Sequence, residues 1–338
     1  MIPPAWIRRS PLGHPLALLL PLTAALFIAS LSIGASGVSL AGVWADWHSG
    51  AGGMAWVIFT EIRLPRALLG LLVGGALGMA GAALQGMLRN PLAEPAVIGV
   101  SPCAALGAVI VFYSGWASSL ALAVPLGGIA GALIAVALLF ALAGRSVGVL
   151  TLILAGIALS SFAGAATSLA LSLSPNPYAL AEIVFWMMGS LADRTLDQVY
   201  LAAPFIGVGA ALLLSAGPAL DALSLGEDTA QSLGFPVRRV GARVVVGTAL
   251  AVGASVAVTG AIGFVGLVVP HLLRPLVGHQ PRRLLLPSFA GGACLVLAAD
   301  TAVRLGGPGP ELKLGVVTAL LGAPFFLGLV LATRRRLA

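Results

Sequence analysis

The sequence predicts an all-α, polytopic membrane protein with ten transmembrane helices and both termini in the cytoplasm. Composition is the first reason: of 338 residues, 59% are hydrophobic and 9% charged, with a mean hydropathy of +1.07. A soluble domain carries roughly a quarter charged residues, so too little polar surface exists here to coat a water-soluble globule. The second reason is that the apolar residues come in runs of about 20, the length that crosses a bilayer core as a helix. The third is that the basic residues punctuate the ends of those runs.

Taken in order, the runs cover 16–35, 67–88, 96–114, 119–143, 149–172, 198–217, 240–259, 264–278, 284–304 and 313–332. Arg8 and Arg9 precede the first, as in a secretory leader. That run is longer than a leader's apolar region and lacks a clean A-x-A site, so it reads as a span. The eighth is short and contains Pro270. All ten belong to one membrane domain, 1–338, with an outer loop or short helix at 173–197 and a cytoplasmic break at 218–239.

Orientation follows from arginine placement. With both ends inside, thirteen Lys/Arg face the cytoplasm (8, 9, 89, 145, 238, 239, 243, 274, 282, 283, 334, 335 and 336) and five face outward (63, 66, 194, 304 and 313). This is the positive-inside pattern. The formal charge of +7 therefore reports topology and not nucleic-acid binding, because no basic stripe lies along one helix or loop.

Gly70, Gly74 and Gly78 share one face of the second span, a spacing that lets helix backbones approach closely. Gln85, in the same span, needs a hydrogen-bond partner and reads as glue between helices or as a group on an aqueous path. The segment from Arg238 to Gly278 echoes the one from Arg63 to Pro95: paired arginines, a small-residue helix, then a proline-bearing stretch. With opposite orientations, the two form a candidate inverted repeat of the kind found in transporters.

Several chemistries are missing. Lys313 is the only lysine, so no G-x-x-x-x-G-K-[ST] nucleotide loop is present. His14, His48, His271 and His279 are scattered, and Cys103 and Cys294 lack metal-ligand spacing, so no metal site and no enzyme are expected. Glu61, Glu94, Glu182, Asp193, Asp300 and Glu311 lie at run ends or in loops, which weakens an ion-coupled carrier, the reading from another class.

The break "PALDALSLGEDTAQSLGFPVRR" reads as two short helical turns parted at Gly226 and closed by Gly234 and Pro236. Leu220, Leu223, Leu225, Leu233 and Phe235 give it an apolar face, ringed by Asp221, Glu227, Asp228, Arg238 and Arg239. Its acidic residues disfavour the negative inner leaflet, so a groove on a cytoplasmic partner fits better. In the fifth span Ser161, Gly164 and Ser168 share a small polar face with Ser160 and Thr167 beside it.

The blocks "RLPRALLGLLVGG", "QGMLRNPLAEPAVIGVS", "LGEDTAQSLG", "TGAIGFVGLVVPHLLR" and "VVTALLGAPFF" follow one another from Arg63 to Phe326. In that order they resemble the FecCD-type permeases, the membrane subunits of type II ABC importers for ferric siderophores, haem and cobalamin. The likeness covers the chain from Ile62 to its C-terminus. It departs from the family at Ala261, where proline is common, and at "ELKLG" (311–315), where Lys313 adds a charge.

The resemblance implies a bacterial inner-membrane homodimer, two ATP-binding cassette subunits beneath it and a periplasmic binding protein above. It further implies that this chain binds no cofactor, with ATP and magnesium used by the ATPase. By the same likeness, Asp221, Leu225, Gly226, Glu227 and Gly234 belong to coupling helices seated in the ATPase. Arg63, Arg66 and Arg304 would receive acidic residues of the binding protein, with Arg194 and Lys313 as possible additions to that surface. The fifth span, with Ser160, Ser161, Gly164, Thr167 and Ser168, would line the translocation path. Substrate is expected to be a ferric siderophore or haem, with cobalamin as the alternative.

Overall fold

The computed structural model describes residues 15–34, 37–50, 53–120, 122–143, 149–174, 177–305 and 311–337. Arg8, Arg9 and Arg145, used above for orientation, lie outside them, as do residues 175 and 176 of the outer loop. The described residues hold helices and no strand. Their order is α1 (Pro15–Ser32), α2 (Leu40–Ser49), α3 (Met54–Ile58), α4 (Leu64–Met87), α5 (Val100–Tyr113), α6 (Ala123–Ala143), α7 (Val149–Ser172) and α8 (Pro177–Met187). There follow α9 (Leu196–Ser215), α10 (Gly217–Leu223), α11 (Glu227–Ser232), α12 (Val237–Thr259), α13 (Val265–Leu273), α14 (Pro281–Arg304) and α15 (Leu314–Leu337).

Each of the ten apolar runs contains a helix, and seven helical stretches are long and apolar enough to cross a membrane. The runs at 96–114 and 264–278 are not single long helices. The first divides into a 3-10 turn, Pro95–Ile98, and the 14-residue α5; the second divides into the nine-residue α13 and a 3-10 turn, Arg274–Val277. At 1.5 Å per residue neither helix alone covers a core of about 30 Å. The segment 173–197 contains α8.

The core is a trio. The span containing α4, together with α12 and α14, is buried over most of its surface, whereas α1, α7 and α9 are buried over a third or less. A helix apolar on all sides belongs inside a bundle, and α4 is of that kind. Its glycines set the packing distance. The carbonyl of Gly266 in α13 lies where a β-carbon on Gly81 would stand, and the carbonyl of Ser288 in α14 does the same at Gly78. Any side chain there would separate the backbones, so close approach requires glycine on α4.

Gln85 turns out to be glue. It is buried, its Nε2 donates to the carbonyls of Gly266 (3.2 Å) and Leu267 (3.4 Å), and its Oε1 accepts from Arg274 Nη2 at 2.6 Å. Cys103 and Cys294 are free and buried, the latter 3.1 Å from the hydroxyl of Thr23 in α1.

Candidate functional site

Three regions hold the residues that the sequence singled out. At the end of the bundle read as outer, a π-helical turn (Phe59–Arg63) feeds into α4 and brings Arg63 and Arg66 one turn apart. Arg63 Nη1 donates to the carbonyls of Leu31, Ser32 and Val38 at 3.0, 3.0 and 2.9 Å. Arg304, at the last turn of α14, donates through Nη1 to the carbonyls of Ser30 (2.8 Å) and Ile33 (2.7 Å). Two cations thus satisfy carbonyls at and just beyond the C-terminal end of α1, where the helix dipole is negative.

Arg66 is the centre of an ion-pair network. Its Nε donates to both carboxylate oxygens of Asp300 at 3.0 Å, and its Nη1 and Nη2 hold Glu311 bidentately at 3.2 and 2.8 Å. Arg304 Nη2 closes the cluster on Asp300 at 3.2 Å. The side chains of Arg66, Arg304 and Asp300 are at most 9% exposed, while that of Glu311 is 41% exposed. The Arg66 guanidinium holds the Glu311 carboxyl below the usual carboxylate range.

Arg63, Arg66 and Arg304, expected to receive acidic residues of a binding protein, have partners within the chain. Each is buried and engaged by the chain's own groups, because a guanidinium at the end of an apolar bundle must be paired where it folds. Glu311 is the exposed member. Arg194 Nε donates to the Ser190 carbonyl at 3.4 Å, and Lys313 Nζ stands 5.8 Å from the Phe185 ring centroid. The sequence reading missed the role of Asp300. Its signal was a carboxylate four residues before an arginine inside a membrane helix, which demands a partner.

At the end of the bundle read as inner, α10 and α11 form the break at 218–239. Gly226 separates them with φ 115° and ψ 157°, a region essentially closed to side-chain-bearing residues, and Gly234 ends α11 at φ 84°. The single apolar face expected here is divided. Leu220 and Leu223 are buried in the bundle, whereas Leu225 and Leu233 project with 67% and 60% exposure. Glu227 opens α11 beside them. Asp221 faces inward instead: its Oδ1 accepts from the backbone N–H of Arg282 at 2.9 Å, satisfying one of the unpaired donors in the first turn of α14.

Along α7 the expected polar face also divides. Ser161, Gly164 and Ser168 are exposed together. Thr167 is buried, and Ser160 donates to the carbonyls of Gly156 in its own helix (2.8 Å) and Ala96 (3.0 Å), tying α7 to the 3-10 turn before α5. Two apolar hollows lie elsewhere. One of about 280 Å³ has Leu77, Glu94, Ile262 and Phe264 in its wall; the other, about 680 Å³, lies between Met188 and α15 at Val316 and Leu320. Among the described residues no group of three His, Cys, Asp or Glu could hold a metal ion.

Residues 22–332 match the profile of the FecCD transport family. The chain is 38% identical over 325 residues to the hemin transport system permease protein HmuU of Yersinia pestis, covering 95% of this chain and 96% of that one. It is 40% identical over 292 residues to the vitamin B12 import system permease protein BtuC of Salmonella paratyphi A, covering 86% and 87%. A solved structure of an inward-facing ABC transporter assigned to the metal-chelate type superposes with a TM-score of 0.81 at 33% identity, over 94% of this chain and 98% of that one.

Proposed function

The chain belongs to the FecCD transport family, and from that premise we propose that it is one half of a homodimeric permease importing a bulky iron chelate, haem or a ferric siderophore. As a permease subunit of an ABC importer it works with ATP-binding subunits and a substrate-binding protein. The observation that carries the reading is the shared fold with a metal-chelate type transporter over nearly the whole chain. An iron chelate is favoured because the likeness to the haem permease extends over 95% of the chain. Cobalamin is the second reading, favoured by the slightly higher identity to the vitamin B12 permease.

In this reading ten spans place both termini in the cytoplasm, and α10–α11 seat in the ATPase with Leu225 and Leu233 as the projecting apolar contacts. Motion there reaches the outer face through α14. Asp221 holds the N-terminal end of that helix, and Asp300 and Arg304 bind the outer cluster at the other. Its 24 residues, Pro287 among them, span about 36 Å at 1.5 Å each, enough to link the two ends. Ser161, Gly164 and Ser168, with the hollow beside Glu94, are proposed as path surface. A binding protein would dock over Glu311, with Arg66 beneath it.

The test is uptake by proteoliposomes containing the permease, its ATPase and its binding protein, offered labelled haem, a ferric siderophore or cobalamin. ATP-dependent uptake of an iron chelate is expected. Preference for cobalamin selects the second reading, and uptake driven by an ion gradient with no ATPase present overturns both.

A further inference from the structure

A small cavity at the inner end of the bundle has a charge that the import reading does not use. It encloses about 160 Å³, room for roughly five waters at about 30 Å³ each. Its polar wall is Arg89, Arg274, His279, Gln85 and Ser224. Among the described residues, none of Arg89, Arg274 and His279 has a carboxylate within ion-pair distance; the ion pairs present all belong to the outer cluster. Asp221, whose Oδ1 accepts from the backbone N–H of Arg282, does not line the cavity.

Arg274 is held in position, and the backbone is fixed at Arg89 and His279. Buried Gln85 fixes the Arg274 guanidinium at 2.6 Å and is itself fixed by two carbonyls of α13. Arg89 and His279 both have left-handed backbones, with φ 49° and 63°. Each follows a helical turn: Asn90 N–H closes onto the Gln85 carbonyl after α4, and His279 N–H closes onto the Arg274 carbonyl. Glycine is the low-cost residue at such stops. Here an arginine and a histidine occupy them, and both side chains line the same space.

We propose that this cavity is an oxyanion site that takes a phosphate group, either the headgroup of an anionic phospholipid or free inorganic phosphate. Two guanidiniums line the space with an imidazole beside them as a further hydrogen-bonding group, and guanidinium forks match tetrahedral oxyanions. The cavity lies where α4 ends and the turn after α13 closes, on the side read from the sequence as cytoplasmic. The inference stands whatever the chain transports, since the cavity can be tested without substrate or ATP.

The experiment uses the full-length permease, delipidated in detergent, and nanodiscs of phosphatidylglycerol or of phosphatidylcholine. Thermal midpoints are read against inorganic phosphate, with chloride at matched ionic strength as control, and retained lipid is counted by native mass spectrometry. Wild type is expected to be stabilised by phosphate, or to retain phosphatidylglycerol over phosphatidylcholine. Arg89→Gln and His279→Gln, both at exposed positions, should each weaken that response by about tenfold. Arg274→Gln should abolish it where the variant folds. A response confined to nanodiscs identifies the lipid as source, and one seen with soluble phosphate identifies the free ion. No response to either probe, an equal response in the variants, or a site filled only when an acidic ATPase surface is added overturns the proposal.

Discussion

Arg66 and Asp300, separated by 234 residues, meet at two 3.0 Å hydrogen bonds from one guanidinium nitrogen to both carboxylate oxygens. The contact fastens α4 to α14 at the outer end of their long interface. Asp300 also faces Arg304, so one carboxylate serves two buried cations. Replacing it leaves both partly unpaired. Asp300→Ala is expected to destabilise the permease by about 3–5 kcal/mol, the range for breaking a buried pair on one side. A thermal or denaturant midpoint in detergent measures it, and an unchanged midpoint would show that the network carries no stability.

Glu311 gives the cluster a pH dependence. Arg66 holds its carboxyl below the ordinary 4.5, so the folded form binds a proton less readily than the unfolded chain. That contribution is complete above the unfolded value and is lost as pH falls through the depressed one. The outer end should therefore loosen below about pH 4.5, the ordinary glutamate range. Hydrogen exchange near Arg63 to Ala67 is the measurement. Glu311→Gln should flatten the acid limb, and an identical acid profile in that variant would remove Glu311 from it.

The same residue decides how an acidic partner could dock. A carboxylate arriving from a binding protein competes with Glu311 for Arg66. Glu311→Gln is therefore expected to raise binding-protein affinity several-fold, about the 1 kcal/mol scale of a part-exposed pair, with a steeper salt dependence. Equal affinity for both proteins across a salt series would place docking away from Arg66. Charge reversal at Arg63 or Arg66 does not discriminate, because both side chains are buried and the variants report folding first.

The helices were legible where the apolar run and the helix coincide, as in α1, α4, α12 and α14. They were less so at α5 and α13, because hydropathy continues through the 3-10 turns Pro95–Ile98 and Arg274–Val277 and does not register the change in backbone. The expectation of Arg63, Arg66 and Arg304 on one surface came from residue type and span order, and the three do lie together at one end of the bundle. Neither showed their partners, which are carbonyls of α1 and acids up to 245 residues away in sequence. Likewise Leu220 and Leu225 look alike in the coupling segment, and only the seating of α10 against α14 and α4 buries one and exposes the other.

Close packing at Gly81 leads to a sharper expectation. Its missing side chain is replaced by the backbone of Gly266, which cannot move aside as a flexible side chain would. Gly81→Ala should push α13 off α4 and lower the thermal midpoint by an amount typical of overpacking, about 1–3 kcal/mol. Gly164→Ala, where no neighbour lies within 4 Å, is the control and should be nearly neutral. Equal effects at both sites would mean that the α4–α13 contact is looser than the carbonyl position implies.

Under the proposed coupling role, two residues of the 218–239 break act differently. Gly226 holds φ 115°, so Gly226→Ala strains the joint between α10 and α11 by about 1–3 kcal/mol. It should redirect α11 without disturbing the buried α10. Asp221→Ala leaves the joint intact and removes the cap on α14, about 1 kcal/mol. If α14 carries motion outward, both variants should still bind the ATPase, and both should lose stimulation of ATP hydrolysis by the loaded binding protein. Asp221→Asn, which keeps an oxygen for the Arg282 N–H, should recover part of it. Full stimulation in Asp221→Ala, with the complex assembled, would mean that the signal reaches the outer face by another helix.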